Sequence, residues 1–131
     1  MKVVIFGGAG QAGREHMKNL QKMGAIVASY DIVENEKADL NFNAKTCKHI
    51  DPAKAGYKYA IVSLPDNMLY KQTDMIIDAG FERIMVEKPG SRNSFELDKL
   101  VKKAQRKGVA IFINYQRQYD ERIIRLCDKV K

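Results

Sequence analysis

Three glycines in Gly8-Ala9-Gly10-Gln11-Ala12-Gly13 recur at the spacing of a turn that must bring backbone close to a bulky anion. A pyrophosphate needs N–H donors and little side-chain bulk, so glycines let such a turn close tightly and let a helix N-terminus approach the charge. Gly8, Gly10 and Gly13, with Gln11 and Ala12 between them, are therefore candidate cofactor-binding residues. Asp31 supplies a carboxylate that can accept both hydroxyls of a ribose and would repel a 2′-phosphate, which favours NAD over NADP. Further along, Val86-Glu87-Lys88-Pro89 places a carboxylate beside an amine. An ammonium group next to an oxidised nicotinamide is disfavoured, so Lys88 can serve as a proton shuttle or as a donor to a substrate hydroxyl. These are parts for holding a dinucleotide and for handling one hydroxyl proton at its reactive end.

Such parts work only if elements present them together. Val3-Val4-Ile5-Phe6 is a continuous apolar run stopped by glycines, as in a parallel strand buried on both faces. From Gly10 the spacing becomes helical, with Ala12, His16, Leu20 and Met23 roughly one turn apart and Gly24 placed to end the helix. A second apolar run, Ala25 to Tyr30, ends at Asp31, where a strand's carboxyl end delivers a polar side chain to a ligand crevice. The glycine turn thus follows a strand, opens a helix and precedes a strand-end acid, a context far more specific than the glycines alone.

The stretch 32–57 has weak periodicity and accommodates a short strand or helix of unassigned position. Tyr59 to Ser63 reads as a strand, Pro65-Asp66 opens a helix running to about Ala79, and Arg83 to Val86 is the next strand. Asn93 with Glu96 forms a capping box for a helix whose Leu97, Leu100, Val101 and Ala104 share a face, closed by Gly108. Val109 to Ile113 follows as another buried strand. Residues 120–130 read as a terminal helix with Ile123, Ile124, Cys127 and Val130 inward. Strands alternating with helices at this spacing predict an α/β fold, a doubly wound and mainly parallel Rossmann sheet.

Length and composition set outer limits. At 131 residues and 45% hydrophobic content the chain suits one core and is short for two domains. Its formal charge of +7, from 23 Lys+Arg and 16 Asp+Glu, favours anionic partners such as phosphates or sugar nucleotides. The basic residues from Lys102 to Lys107 are not interleaved with aromatics and read as a solvated helix face, so no nucleic-acid partner is expected. Cys47 and Cys127 form neither a metal-ligand spacing nor a disulfide framework, so no metal is expected and a reducing, cytoplasmic setting is. No apolar run approaches bilayer length, and no membrane partner is expected.

Taken in order, the motifs resemble the Gfo/Idh/MocA family of NAD(P)-dependent oxidoreductases. The resemblance rests on Gly8 to Gly13 followed by His16 and Leu20, on Ser63-Leu64-Pro65, Ala79-Gly80, Glu87-Lys88-Pro89, and Tyr115-Gln116-Arg117-Gln118-Tyr119. It implies that Lys88 is catalytic, positioning or deprotonating a substrate hydroxyl, that Glu87 lies near the nicotinamide ribose, and that the Lys88-Pro89 bond is cis. It also implies that Ser63, Leu64, Pro65 and Asn67 line the adenosine side and that Arg117 approaches the nicotinamide end. His16 matches the family's helix histidine, for which packing is the plainer physical role. Tyr70 stands where many members carry a histidine.

The resemblance further implies a second α/β domain for substrate, which this chain stops short of. Residues 1–117 then form the dinucleotide-binding domain, and 118–131 a terminal helix that begins a missing or truncated domain. The implied activity is hydride transfer from a secondary alcohol of a sugar, sugar nucleotide or polyol to NAD, weak or absent in this half alone. Alternatives are a stand-alone NAD(H)-binding sensor and a piece of a longer enzyme. A terminal helix lacking its usual cover suggests a homo-oligomer.

Overall fold

The computed structural model describes residues 1–47, 51 and 55–130. In chain order the elements are β1 (Lys2–Phe6), α1 (Gln11–Lys22), β2 (Ile26–Asp31), β3 (Leu40–Asn43), β4 (Tyr59–Val62), α2 (Asp66–Asp78), β5 (Arg83–Glu87), α3 (Ser94–Lys107), β6 (Ala110–Asn114), a 3-10 turn (Gln116–Tyr119) and α4 (Glu121–Val130). The described strands form one parallel sheet of order β3-β2-β1-β4-β5-β6. Strand order reverses between β1 and β4, which is where a doubly wound sheet opens a ligand crevice beyond its carboxyl edge.

Alternation along the strands splits the core in two. Val4, Phe6, Ala60, Val62, Ile84 and Val86 face α2 and α3, whose Leu69, Ile76, Ile77, Leu100 and Ala104 bury against them. Val3, Ile5, Val27 and Ile61 face the other way, onto Met17 of α1. The predicted cap of α3 is present: the Asn93 side chain accepts from Glu96 N at 2.9 Å, and Gly108 ends the helix at φ 69°. The Glu96 carboxylate reaches back to Arg92 N rather than to the cap residue itself.

Four expectations are corrected by packing. Along α1 the inward residues are Gly13 and Met17, with Leu20 and His16 half-buried, whereas Ala12 is exposed and Met23 is 76% exposed. The helix is seated by the contact of Gly13 with the glycine turn, so Gly13 and Met17 centre the inward face, with His16 and Leu20 at its margin. Strand β6 is an edge rather than a strand buried on both faces: Ile111 and Ile113 pack toward α3, but Phe112 is 56% exposed because α1 covers only the β1–β2 half of the opposite face.

Helix α4 forms as expected, yet Ile123, Ile124 and Cys127 are exposed, since the helix touches little beyond the preceding 3-10 turn. The expected inward placement of Val130 falls outside the described residues. Finally, Lys103 is not on a solvated face. Its ammonium lies 2.7 Å from both Asp74 and Asp78 of α2, clasping α2 to α3. Burial would lower the Lys103 pKa, but its bonds to those carboxylates outweigh this and raise it, while the same Lys103 bond draws Asp78 below its usual range.

Candidate functional site

Because the strands are parallel, Phe6, Asp31, Val62, Glu87 and Asn114 all end at one edge of the sheet. The chain leaves β1 through Gly7 at φ 85°, a left-handed conformation that favours glycine. Gly7 N donates to Tyr30 O at 2.9 Å and its carbonyl accepts from Gly10 N at 3.1 Å, which closes the turn.

The space around each glycine separates its role. A Cβ on Gly7 would stand 2.2 Å from Ser63 O, one on Gly8 2.4 Å from Ser29 Oγ, and one on Gly13 2.2 Å from Gly7 O. Those three are small because the protein itself closes on them. A Cβ on Gly10 would meet only Gly7 O at 3.3 Å, so its missing side chain leaves room for something arriving from outside. Gly10 is also the N-cap of α1 and offers no side-chain cap, and the first turn holds no acid. The first-turn amides of Gln11, Ala12 and Gly13 thus present donors and the positive end of the helix dipole at the sheet edge. This cradle fits a pyrophosphate.

Asp31 stands directly beside the turn. Its Oδ2 accepts from Ala9 N at 3.0 Å, and its Oδ1 accepts from Ile32 N at 2.7 Å and Val33 N at 3.3 Å. A carboxylate offers about four acceptor positions, so Oδ2 keeps capacity for a hydroxyl. Asn35, 5% exposed, donates from Nδ2 to Gly8 O at 2.8 Å and exchanges bonds with Asn41. The loop after β2 is thereby tied under the glycine turn. A cleft of about 1070 Å³ opens between this loop and α1, reaching the turn at Ala9 and Gln11. Its lining mixes Arg14, Lys18, Lys22 and Lys37 with Glu15, Glu34 and Glu36, a surface of both signs rather than a dedicated phosphate pocket.

On the other side of the switch point, Ser63 N donates to Phe6 O at 2.8 Å, and the buried Ser63 Oγ has no partner among the described residues. Leu64 is half-buried, Pro65 caps α2, and Asn67 is exposed in its first turn. Glu87 is 8% exposed, and its Oε1 accepts from His16 Nε2 at 2.6 Å and from Asn114 Nδ2 at 2.7 Å. With Oε1 accepting twice, the imidazole proton belongs on Nε2. Gly90 N closes the turn onto Glu87 O at 2.9 Å, the Lys88-Pro89 bond is cis, and Lys88 is exposed at its tip.

The glycine turn, Asp31, Ser63 and Glu87-Lys88 are therefore gathered at one edge. Arg117 is not joined to them: it is exposed on the 3-10 turn, and no hydrogen bond or ion pair among the described residues links its side chain to the site. His16 is a hydrogen-bonding member of the site, not a packing residue. Gly7, Asn35 and Asn114 are additions that sequence reasoning missed. The first adjoins the glycine run and the last ends a strand as Asp31 does, both usable signals, whereas Asn35 lies in the aperiodic stretch and carries none.

The family model described as oxidoreductase family, NAD-binding Rossmann fold (Gfo/Idh/MocA) matches residues 1–115. A search of curated proteins returns no match. Among solved structures, the WlbA (WbpB) dehydrogenase from Thermus thermophilus, in complex with NAD and UDP-GlcNAcA, superposes with a TM-score of 0.82 at 20% identity, covering 98% of this chain and 46% of that one. The UDP-N-acetylglucosamine 3-dehydrogenase GnnA from Acidithiobacillus ferrooxidans gives 0.74 at 17% identity, covering 98% and 43%. The protein yvaA from Bacillus subtilis gives 0.81 at 21%, covering 99% and 40%. The chain thus spans less than half the length of these proteins.

Proposed function

Since the chain belongs to the Gfo/Idh/MocA oxidoreductase family, through its NAD-binding Rossmann domain, we propose that it is the cofactor half of a dehydrogenase acting on a secondary alcohol of a sugar, sugar nucleotide or polyol. The observation that carries this reading is the glycine cradle opening an uncapped helix at the same sheet edge as Glu87-Lys88. Solved relatives in complex with NAD and a uridine-linked sugar support the ligand class. Bound NAD supplies a nicotinamide ring that accepts hydride from the alcohol carbon.

In this reading the amides of Gln11, Ala12 and Gly13 take the pyrophosphate, Gly10 leaves it room, and Gly8 lets the turn that cradles it close against Ser29. Asp31 accepts the adenosine ribose hydroxyls, while Ser63, Leu64, Pro65 and Asn67 line that half. Glu87 accepts from the nicotinamide ribose, Lys88 takes the proton of the substrate hydroxyl, and Arg117 serves the nicotinamide end. Holding the alcohol carbon against the nicotinamide supplies most of the rate in such a transfer, so this half alone is expected to bind cofactor with little turnover. A second reading is an NAD(H)-binding sensor without catalysis, since the same cradle would bind cofactor in either case. A panel of nucleotide sugars and polyols with NAD separates the two: turnover abolished by Lys88→Ala supports the dehydrogenase, and silence with intact NADH binding supports the sensor.

Asp31 gives the cofactor choice its test. The parent is expected to bind NADH more tightly than NADPH in a fluorescence titration. Asp31→Ala should weaken NADH by about tenfold, the scale of a hydrogen bond to a charged acceptor, and narrow the gap to NADPH. Equal affinity of the parent for both cofactors would remove the case for NAD. The reading includes a cytoplasmic setting, from the two unpatterned cysteines, and a homo-oligomer, because Ile123, Ile124 and Leu126 stand exposed along α4. Sedimentation equilibrium should then give a mass at least twice that of one chain, and a single-chain mass at high concentration would end that part of the proposal. No helix among the described residues is long and apolar enough to cross a membrane.

A further inference from the structure

Glu87 is held by two side chains that come from distant parts of the chain. His16 lies 71 residues away on α1, and Asn114 lies 27 residues away at the end of β6. Both donate to the same oxygen, Oε1, and among the described residues Oε2 has no hydrogen-bond partner. The His16 and Glu87 side chains retain only 17% and 10% of their exposure, so water competes little for the bond. His16 also sits one turn along α1 from Gly13, on the same helix whose first amides face the glycine turn.

We infer that His16 and Asn114 are positioning residues: they fix the Glu87 carboxylate by one oxygen and reserve Oε2 for a hydroxyl of the nicotinamide ribose. This rests on the cofactor-binding reading above and extends it. Two donors from two separate elements remove the rotational freedom of a carboxylate that could otherwise turn either oxygen outward, which pre-organises the acceptor before the ribose arrives. The contact from α1 makes one rigid element serve both halves of the dinucleotide, pyrophosphate at its first turn and nicotinamide ribose through Glu87. A histidine held only for packing would be replaceable by an apolar side chain of similar volume. A histidine that positions Glu87 requires a donor at the place of Nε2.

The test compares two ligands on one set of variants. NADH carries the nicotinamide ribose and ADP does not, so ADP reports the glycine turn and the adenosine side without Glu87. His16→Leu is expected to weaken NADH by about ten- to hundredfold, the range for a lost bond to a charged acceptor, with ADP within twofold of the parent. His16→Gln, whose amide nitrogen reaches about as far as Nε2, should recover most of the NADH affinity. Asn114→Leu should repeat the selective loss from the other side, which keeps the test open if one variant folds poorly. The inference is overturned if His16→Leu binds NADH like the parent, if NADH and ADP weaken by the same factor, or if His16→Gln recovers nothing. A parent that binds neither ligand would instead sink the cofactor-binding reading, and this inference with it.

Discussion

Gly13→Val is expected to abolish saturable NADH binding while Gly10→Ala weakens it far less. The contrast follows from what each new Cβ would touch. At Gly13 it would lie 2.2 Å from Gly7 O and 2.8 Å from Gly8 Cα, both backbone atoms that no rotamer change can move. Either α1 backs away from the turn or the turn opens, and both shift the first-turn amides that must sit 2.7–3.2 Å from a phosphate oxygen. A displacement of about 1 Å at such a site costs on the order of a hundredfold, and the overpacking itself costs about 1–3 kcal/mol of stability. At Gly10 the only close atom is Gly7 O at 3.3 Å, which a few tenths of an ångström relieve. Fluorescence titration with a thermal melt reads both effects. Parent-like NADH affinity in Gly13→Val would show that the turn does not cradle the pyrophosphate.

The glycine turn, Asp31 and Glu87-Lys88-Pro89 were legible because each is marked by local chemistry at a period switch or a strand end. The sheet was legible for the same reason: its central strands are short apolar runs that stop at glycine, at serine or at an acid. What escaped was set by tertiary placement. The pairing of His16 with Glu87 joins residues 71 apart, and nothing in either local pattern announces it. Asn35 entered the site because a loop folds under Gly8, in a stretch with no periodicity to read. The inward face of α1 centres on Gly13 and Met17 because Gly13 seats the helix against the glycine turn, a contact invisible to a count of apolar positions. Strand β6 carries the apolar run of a buried strand, yet its outer face stays open because cover depends on where α1 ends up rather than on β6 itself.

That asymmetry of cover yields the second large effect. Phe81, 1% exposed just before β5, meets Phe6 edge-on with centroids 5.9 Å apart, and Phe6 in turn lies 4.9 Å from the Tyr30 ring. Phe6 and Tyr30 immediately precede Gly7 and Asp31 in the chain, so this ring cluster links the core to the residues at the site. Phe81→Ala should therefore cost about 3–5 kcal/mol through lost burial and the cavity left behind. For a domain of this size that lowers the melting temperature by roughly 10–20 °C. Relaxation into the cavity would draw Phe6 inward, so NADH affinity should fall with stability. Phe112→Ala removes the same side chain from the open face, where 56% of the residue is already exposed, and should change stability by about 0.5 kcal/mol or less. If thermal melts instead give the two variants equal losses, Phe112 is covered in solution, and the open face of β6 is buried against a second chain.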